Sequence, residues 1–215
     1  MQLLHAAKKY QLPTLVNQCV NFLDNQLQAS NACSILDHCQ FFDEKKLAKR
    51  CLEKIEDNTK EALASEDFLT ISKETLGVIL DSSKLALDEV NIFRKTYEWA
   101  SNKTDETMSV REALGNNIYK IRFPTMNHKE FTDHVCSTNI LTEREQQQIL
   151  KYMDNPEICL KPDPFSCDRR TPRIKKGNVY NIFFLFHFSF PQPSYPVYIN
   201  LKHHNLRIFI YISSI

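Results

Sequence analysis

The chain has 215 residues, 27 basic against 26 acidic side chains, a net charge of +1 and only three glycines. Average usage would give about 15 glycines, and a phosphate-cradling loop or dinucleotide fingerprint needs several within a few residues, so both are excluded. The balanced charge offers no global basic excess for nucleic acid.

A chain poor in glycine and rich in Leu, Lys, Glu, Gln and Ala favours helices, because β-architectures need glycine at turns with positive φ. Residues 1–155 read as a series of short amphipathic helices. Pro13 suits a first helical turn, and Leu15, Val16, Cys19, Val20, Phe22, Leu23 and Leu27 follow it on one wide apolar face. Ser30 or Asn31 caps the next helix, which turns Ala32, Ile35, Leu36 and Cys39 inward. Asp43 opens another, with Leu47, Cys51 and Ile55 at four-residue steps. Thr59 to Ala64 makes a short helical turn, and Phe68, Leu69 and Ile71 form an apolar knot. Ser72 caps a helix carrying Leu76, Ile79 and Leu80. From Asp88, Val90, Phe93, Tyr97 and Ala100 form a stripe beside the single tryptophan, Trp99.

Val110, Leu114 and Ile118 continue at four-residue steps, so residues 107–122 read as one helix ending before Pro124. Asn127 caps a helix through Phe131 and Val135. Thr142-Glu143-Arg144-Glu145 is a capping box leading into Ile149, Leu150 and Met153. Short loops imply antiparallel neighbours. The expected fold is all-α: stacked antiparallel helix pairs, with an irregular or β-prone C-terminal tail.

The segment LLHAAKKYQLPTLVNQCVNFLDNQLQASNACSIL resembles the end of a BTB domain running into a BACK domain. The matching residues are the AAKKY helix, Cys19 with Phe22 and Leu23, and the step from Ser30 to Cys33. Further along, SEDFLTIS at 65–72, LALDEVNIFRKTYEWA at 85–100, IRFPTM at 121–126 and ILTEREQQQIL at 140–150 look like the BTB–BACK–PHR subfamily. The resemblance covers roughly residues 2–160. It implies a BTB remnant at 1–28, a BACK domain at 29–157, a linker toward PHR at 158–178 and an aberrant aromatic-rich tail at 179–215.

Proteins of this family act as substrate adaptors for cullin-RING ubiquitin ligases. The first BACK helix pair, here about 31–57, helps BTB grip the BTB-dedicated cullin. Carried over, Asn31, Ile35, Leu36, Cys39 and Phe42 become the expected cullin groove; a core role is the competing reading, since a helical stripe is interior by default. The other partner implied is a ubiquitylated substrate protein that the sequence does not name. The resemblance begins at the last BTB helices. The BTB sheet and dimer interface would therefore lie outside this sequence, which makes dimerisation doubtful and leaves apolar area uncovered on the first helices.

Chemistry is sparse. His38-Cys39 and His134-x-Cys136 are the nearest approach to metal-ligand spacing, and neither builds a pair of C-x-x-C or H-x-x-x-H elements. No metal, cofactor or catalytic residue is expected. Cys19, Cys33 and Cys51 sit on apolar faces where a thiol is inert, so the chain reads as a non-enzymatic binding protein. Lys45, Lys46, Lys49 and Arg50 alternate with acids along one helix as an ion-paired face. A DNA-binding helix-turn-helix is disfavoured for want of a basic helix face, and a generic helical-repeat scaffold for want of a period.

The seven cysteines form no pairwise pattern, as expected in a reducing compartment, and MQLLHAAKKY places lysines where a secretory signal would stay apolar. The expected location is cytoplasmic, with the basic stretch from Arg169 to Lys176 leaving a nuclear alternative. Residues 179–215 hold ten aromatics and no acid. Their run IFFLFHFSF is too short to span a bilayer and reads as an aggregation-prone strand, the mark of a truncated or mis-spliced end. A non-functional truncated product is the corresponding alternative for the whole chain.

Overall fold

Residues 2–104, 107–156 and 164–165 are described by a computed structural model. The chain divides into units Met1–Lys175 and Lys176–Ile215, and all described residues lie in the first. The tail, the basic stretch at 169–176, Cys159 and Cys167 fall outside them.

Among the described residues the secondary structure is entirely helical: α1 Gln2–Lys9, α2 Pro13–Asn25, α3 Ala32–Phe42, α4 Lys45–Asp57, α5 Thr59–Ala64, α6 Glu66–Thr70, α7 Lys73–Asp81, α8 Glu89–Ser101, α9 Val110–Leu114, α10 His128–His134 and α11 Glu143–Asp154. Short 3-10 turns at Gly115–Lys120, Phe123–Thr125 and Cys136–Thr138 join the later helices. The expected all-α class holds.

Local chemistry sets most boundaries. The hydroxyl of Ser72 accepts the Thr75 amide at the start of α7. Asn127 and Thr142 each form a reciprocal capping box, with Glu130 and Glu145 respectively. These caps satisfy amides that have no partner inside the helix.

Two expectations need correction. Asp43 does not open α4; it takes the left-handed conformation (φ 55°) and closes α3, its amide donating to the Cys39 and Gln40 carbonyls. A short polar side chain tolerates that region, so Asp replaces the usual glycine. The helix expected over 107–122 breaks after Leu114, because Gly115 adopts φ 50° and the chain continues as a 3-10 turn.

The core centres on aromatic side chains. Phe68, Phe93, Trp99, Phe123 and Phe131 are fully buried. Phe123 makes edge-to-face contacts with Phe93, Phe131 and Phe165 at centroid distances of 5.7, 5.9 and 5.7 Å. Trp99 donates its indole N–H to the Ile71 carbonyl at 3.1 Å, which satisfies the one polar atom of the largest buried side chain.

Polar ties then fix the order of the helices. Asp37 of α3 accepts from the Ser72 amide (3.0 Å) and hydroxyl (2.5 Å), tying the first helix pair to α7. Asn117 donates to the Lys73 carbonyl at 2.8 Å, and Lys120 reaches the Gly77 carbonyl and the Asp81 carboxylate at 3.1 and 2.6 Å. A Cβ on Gly77 would come within 2.9 Å of Asn117 and Lys120, so the 3-10 turn packs on α7 only because that residue has no side chain. Arg111 grips Glu145 with two parallel bonds of 3.0 and 2.7 Å and also donates to the Ile140 carbonyl at 2.8 Å, joining α9 to α11.

Candidate functional site

The two-residue link Asp43–Glu44 folds α3 and α4 into an antiparallel hairpin. Its interior is a ladder of small and branched side chains: Cys33, Leu36 and Cys39 from α3 face Leu47, Cys51 and Ile55 from α4, and all are buried. Burial pushes the Cys33 thiol up to about 12, with the Asp67 charge adding to it, and its S–H points at the Ala62 carbonyl, 3.7 Å away.

The five residues expected to line a groove separate into three places. Ile35, Leu36 and Cys39 are 6%, 1% and 1% exposed, so they build the hairpin interior. Asn31, half-buried, accepts the Gln28 amide at 2.8 Å and donates to the Gln26 carbonyl at 2.9 Å, closing the turn between α2 and α3. Only Phe42 reaches the surface as an apolar group, half-buried at the hairpin tip.

What accompanies Phe42 is a residue that periodicity passes over. Phe41, one position off the inward stripe, is 77% exposed. Its ring meets Phe42 edge-on at 4.9 Å, and His5 of α1 lies 6.5 and 5.6 Å from the two phenylalanine rings. Lys8 fastens α1 to this tip: its ammonium donates to the Phe42 carbonyl at 2.5 Å and pairs with Glu44 at 2.5 Å. The visible signal was the Phe41-Phe42 doublet itself, since both phenylalanines cannot face inward at the end of one helix.

A second apolar area lies on α2, which contains no fully buried residue. On a helical wheel of about 100° per residue, its apolar positions span a wide arc. One edge, Val20 and Leu23, packs against the core together with Leu27 just past the helix end, and Asp24 beyond that edge pairs with Arg50 of α4. The other edge carries Leu15 and Phe22, and Phe22 is 65% exposed. All the large apolar side chains recorded as exposed among the described residues, Leu3, Tyr10, Leu12, Phe22 and Phe41, belong to the first three helices or their links. Beyond α4 no comparable area appears among the described residues, so the uncovered surface is polarised to one end of the chain.

That helical order, with its hairpin and Phe-Pro turn, is matched by sequence. Residues 32–136 match the family BACK, "BTB And C-terminal Kelch". The helical body belongs to the BACK family. BTB/POZ domain-containing protein 6 of Homo sapiens is 36% identical over 155 residues, covering 69% of this chain and 29% of that protein. BTB/POZ domain-containing protein 3 of Homo sapiens is 38% identical over 155 residues, covering 69% of this chain and 30% of that protein. The zebrafish (Danio rerio) protein 6-B is 35% identical over the same length, covering 32% of its own chain. This BACK-family chain thus spans less than a third of the length of those relatives. Their names carry BTB/POZ, and the family match begins at the first residue of α3.

Among the described residues no three His, Cys, Asp or Glu side chains are grouped to hold a metal ion, and no helix is long and apolar enough to cross a membrane. Cys19, expected on a buried face, is half-buried; Cys33 and Cys51 are interior.

Proposed function

We propose that this chain is the BACK portion of a BTB-type adaptor that works by protein binding, without catalysis, in a cullin-RING ubiquitin ligase. The observation that carries the reading is the polarised apolar surface of the first three helices in a chain of this family. Within it, the tip formed by Phe41, Phe42 and His5 is the surface offered to the BTB-dedicated cullin. Ile35, Leu36 and Cys39 support it from beneath, and Asn31 sets its angle through the α2–α3 turn. The open edge of α2, with Leu15 and Phe22, is the face for an upstream BTB domain, which agrees with the names of the relatives.

The proposed partition is 1–28 for the BTB remnant, 29–157 for BACK and 158–178 for a linker toward a substrate-recognising PHR domain. The tail at 179–215 is a departure from that plan. The working location is the cytoplasm, with the nucleus as alternative, in keeping with the unpaired thiols of the interior. The ubiquitylated substrate would be chosen by the PHR part.

Calorimetric titration of the BTB-dedicated cullin's N-terminal region into a chain with BTB restored upstream tests the proposal. Phe41→Ala is expected to weaken binding at least tenfold while the circular dichroism spectrum stays unchanged. Equal affinity in a folded Phe41→Ala variant overturns the surface assignment, and absence of binding by the unsubstituted chain overturns the adaptor reading.

A further inference from the structure

Helix α4 is charged against its own dipole. From α5 to α11 every α-helix has at least one Asp or Glu in its first turn, where a carboxylate meets the positive end of the helix macrodipole. Helix α4 has none: it starts with Lys45 and Lys46, and Lys49 and Arg50 follow within the next turn. Its acids, Glu53, Glu56 and Asp57, come late, the reverse of what helix stability favours. Glu44 at the N-cap does not offset this, because its side chain caps no amide and is held by Lys8 at 2.5 Å. The four cations are exposed. Lys45 pairs with Asp43 at 3.6 Å and Arg50 with Asp24, whereas Lys46 and Lys49 enter no ion pair among the described residues. The ion-paired face expected from sequence is therefore incomplete. Three apart on the helix, Lys46 and Lys49 stand about 5–6 Å from each other on one outward face.

Departures from local stability of this kind occur at functional sites, and the neighbour of this one is the aromatic tip. The lysines rise from the same end of the hairpin that exposes Phe41 at 77%, since α3 ends at Phe42 and α4 begins at Lys45. We propose that the tip and the face of Lys46 and Lys49 form one docking surface for an acidic protein segment, an apolar side chain of that segment lying against Phe41 and its carboxylates on the two lysines. This deepens, and rests on, the reading of the tip as the partner surface. A polynucleotide is the poorer fit: Asp43, Glu44 and Glu53 interrupt the basic face and the net charge of the chain is +1, whereas affinity for nucleic acid grows with the number of phosphates neutralised. Two free lysines beside an exposed ring match instead the rim charges that steer an apolar contact between proteins and set its register.

Fluorescence anisotropy of the full chain with a labelled peptide carrying a Phe followed by glutamates, and with its counterpart carrying lysines in their place, tests the surface without any cullin. The acidic peptide should bind roughly tenfold tighter at low salt and lose that advantage as salt rises. Lys46→Glu combined with Lys49→Gln should remove the preference while the melting temperature holds or rises, because a carboxylate near the helix start suits the dipole. Lys60→Glu, on α5, should leave binding unchanged. Equal affinity for the two peptides, binding of neither, or tighter binding of a single-stranded oligonucleotide than of the acidic peptide overturns the docking surface. Titrating the BTB-dedicated cullin's N-terminal region into the same variants with BTB restored upstream separates the two readings. A preference for the acidic peptide without cullin binding removes the cullin and keeps the surface; cullin binding without that preference keeps the adaptor and removes the surface.

Discussion

Replacing Leu36 and Phe41 separately by alanine distinguishes interior from surface on the same helix. Leu36 is 1% exposed, and Leu→Ala removes three carbons from a packed hairpin. At about 0.8 kcal/mol per buried methylene plus a term for the cavity left behind, the loss is about 3 kcal/mol. Phe41 is 77% exposed, so about a quarter of its roughly 200 Å² is covered, equivalent to about 1 kcal/mol at most. Urea unfolding followed by circular dichroism measures both values. With about 2–4 °C of melting shift per kcal/mol in a chain of this size, Leu36→Ala should melt about 6–12 °C lower and Phe41→Ala about 2–4 °C lower. In the binding titration the order reverses for the folded fraction: Phe41→Ala loses affinity and Leu36→Ala keeps it. A Phe41→Ala cost equal to that of Leu36→Ala would refute the reasoning, because it would mean that Phe41 is covered in solution.

Three further outcomes are expected. Ser72→Ala removes the α7 cap and one of the donors to Asp37, a loss of about 1–2 kcal/mol by chemical denaturation; a change under half that size would count against the latch between α3 and α7. Gly115→Ala places a Cβ at φ 50° and 2.5 Å from the Lys73 ammonium, so the melting point should fall, with a cost of about 1–2 kcal/mol; Gly115→Asn should do no better, because φ 50° with ψ −129° lies outside the left-handed region that asparagine tolerates. Burial raises the carboxyls of Asp37 and Glu145. Together, the hydrogen bonds from Ser72 and Thr75 to Asp37, and those from Arg111 and Thr142 with the Arg111 charge to Glu145, outweigh burial and leave both below the ordinary range. Each then contributes stability that is present above the unfolded carboxyl pKa of about 4 and lost as pH falls through the lower folded value. Stability measured from pH 7 to pH 2 should drop on that acid limb, and the drop should be shallower in Asp37→Asn and in Glu145→Gln; an unchanged limb in both would remove these carboxylates from the account.

Sequence made the later helices readable because their start signals are local. Ser72, Asn127 and Thr142 sit three residues before the amides they cap, so spacing alone reveals them. Apolar periodicity likewise located Leu47, Cys51 and Ile55 on one face of α4, all of which are interior. The misread positions are those where a backbone angle decides. Asp43 is an ordinary helix opener by residue type and becomes a closer only because α3 ends in the left-handed region, and Gly115 interrupts a four-residue rhythm that its neighbours sustain. Around the candidate site, the stripe Ile35, Leu36, Cys39 was legible as apolar, but apolarity does not tell which side of a helix meets another helix. Phe41 drops out of any periodic reading because it departs from the stripe, and that departure is what brings it to the surface. The α2 arc was legible as apolar too; its uncovered edge is a matter of what lies against it, which sequence spacing does not encode.

Phe165 gives the chain a mechanical anchor. Its ring sits edge-on to Tyr119 and Phe123, at 5.3 and 5.7 Å, and is 3% exposed, although ten residues separate it from Asp154 at the end of α11. Tension drawn along the polypeptide from its far end therefore arrives first at the aromatic stack of Phe123, Phe93 and Phe131. Helix α11 is spared until that ring is pulled out, so it does not peel from its last turn. Any load hung from the far side of residue 165 is borne first by this stack in the middle of the domain.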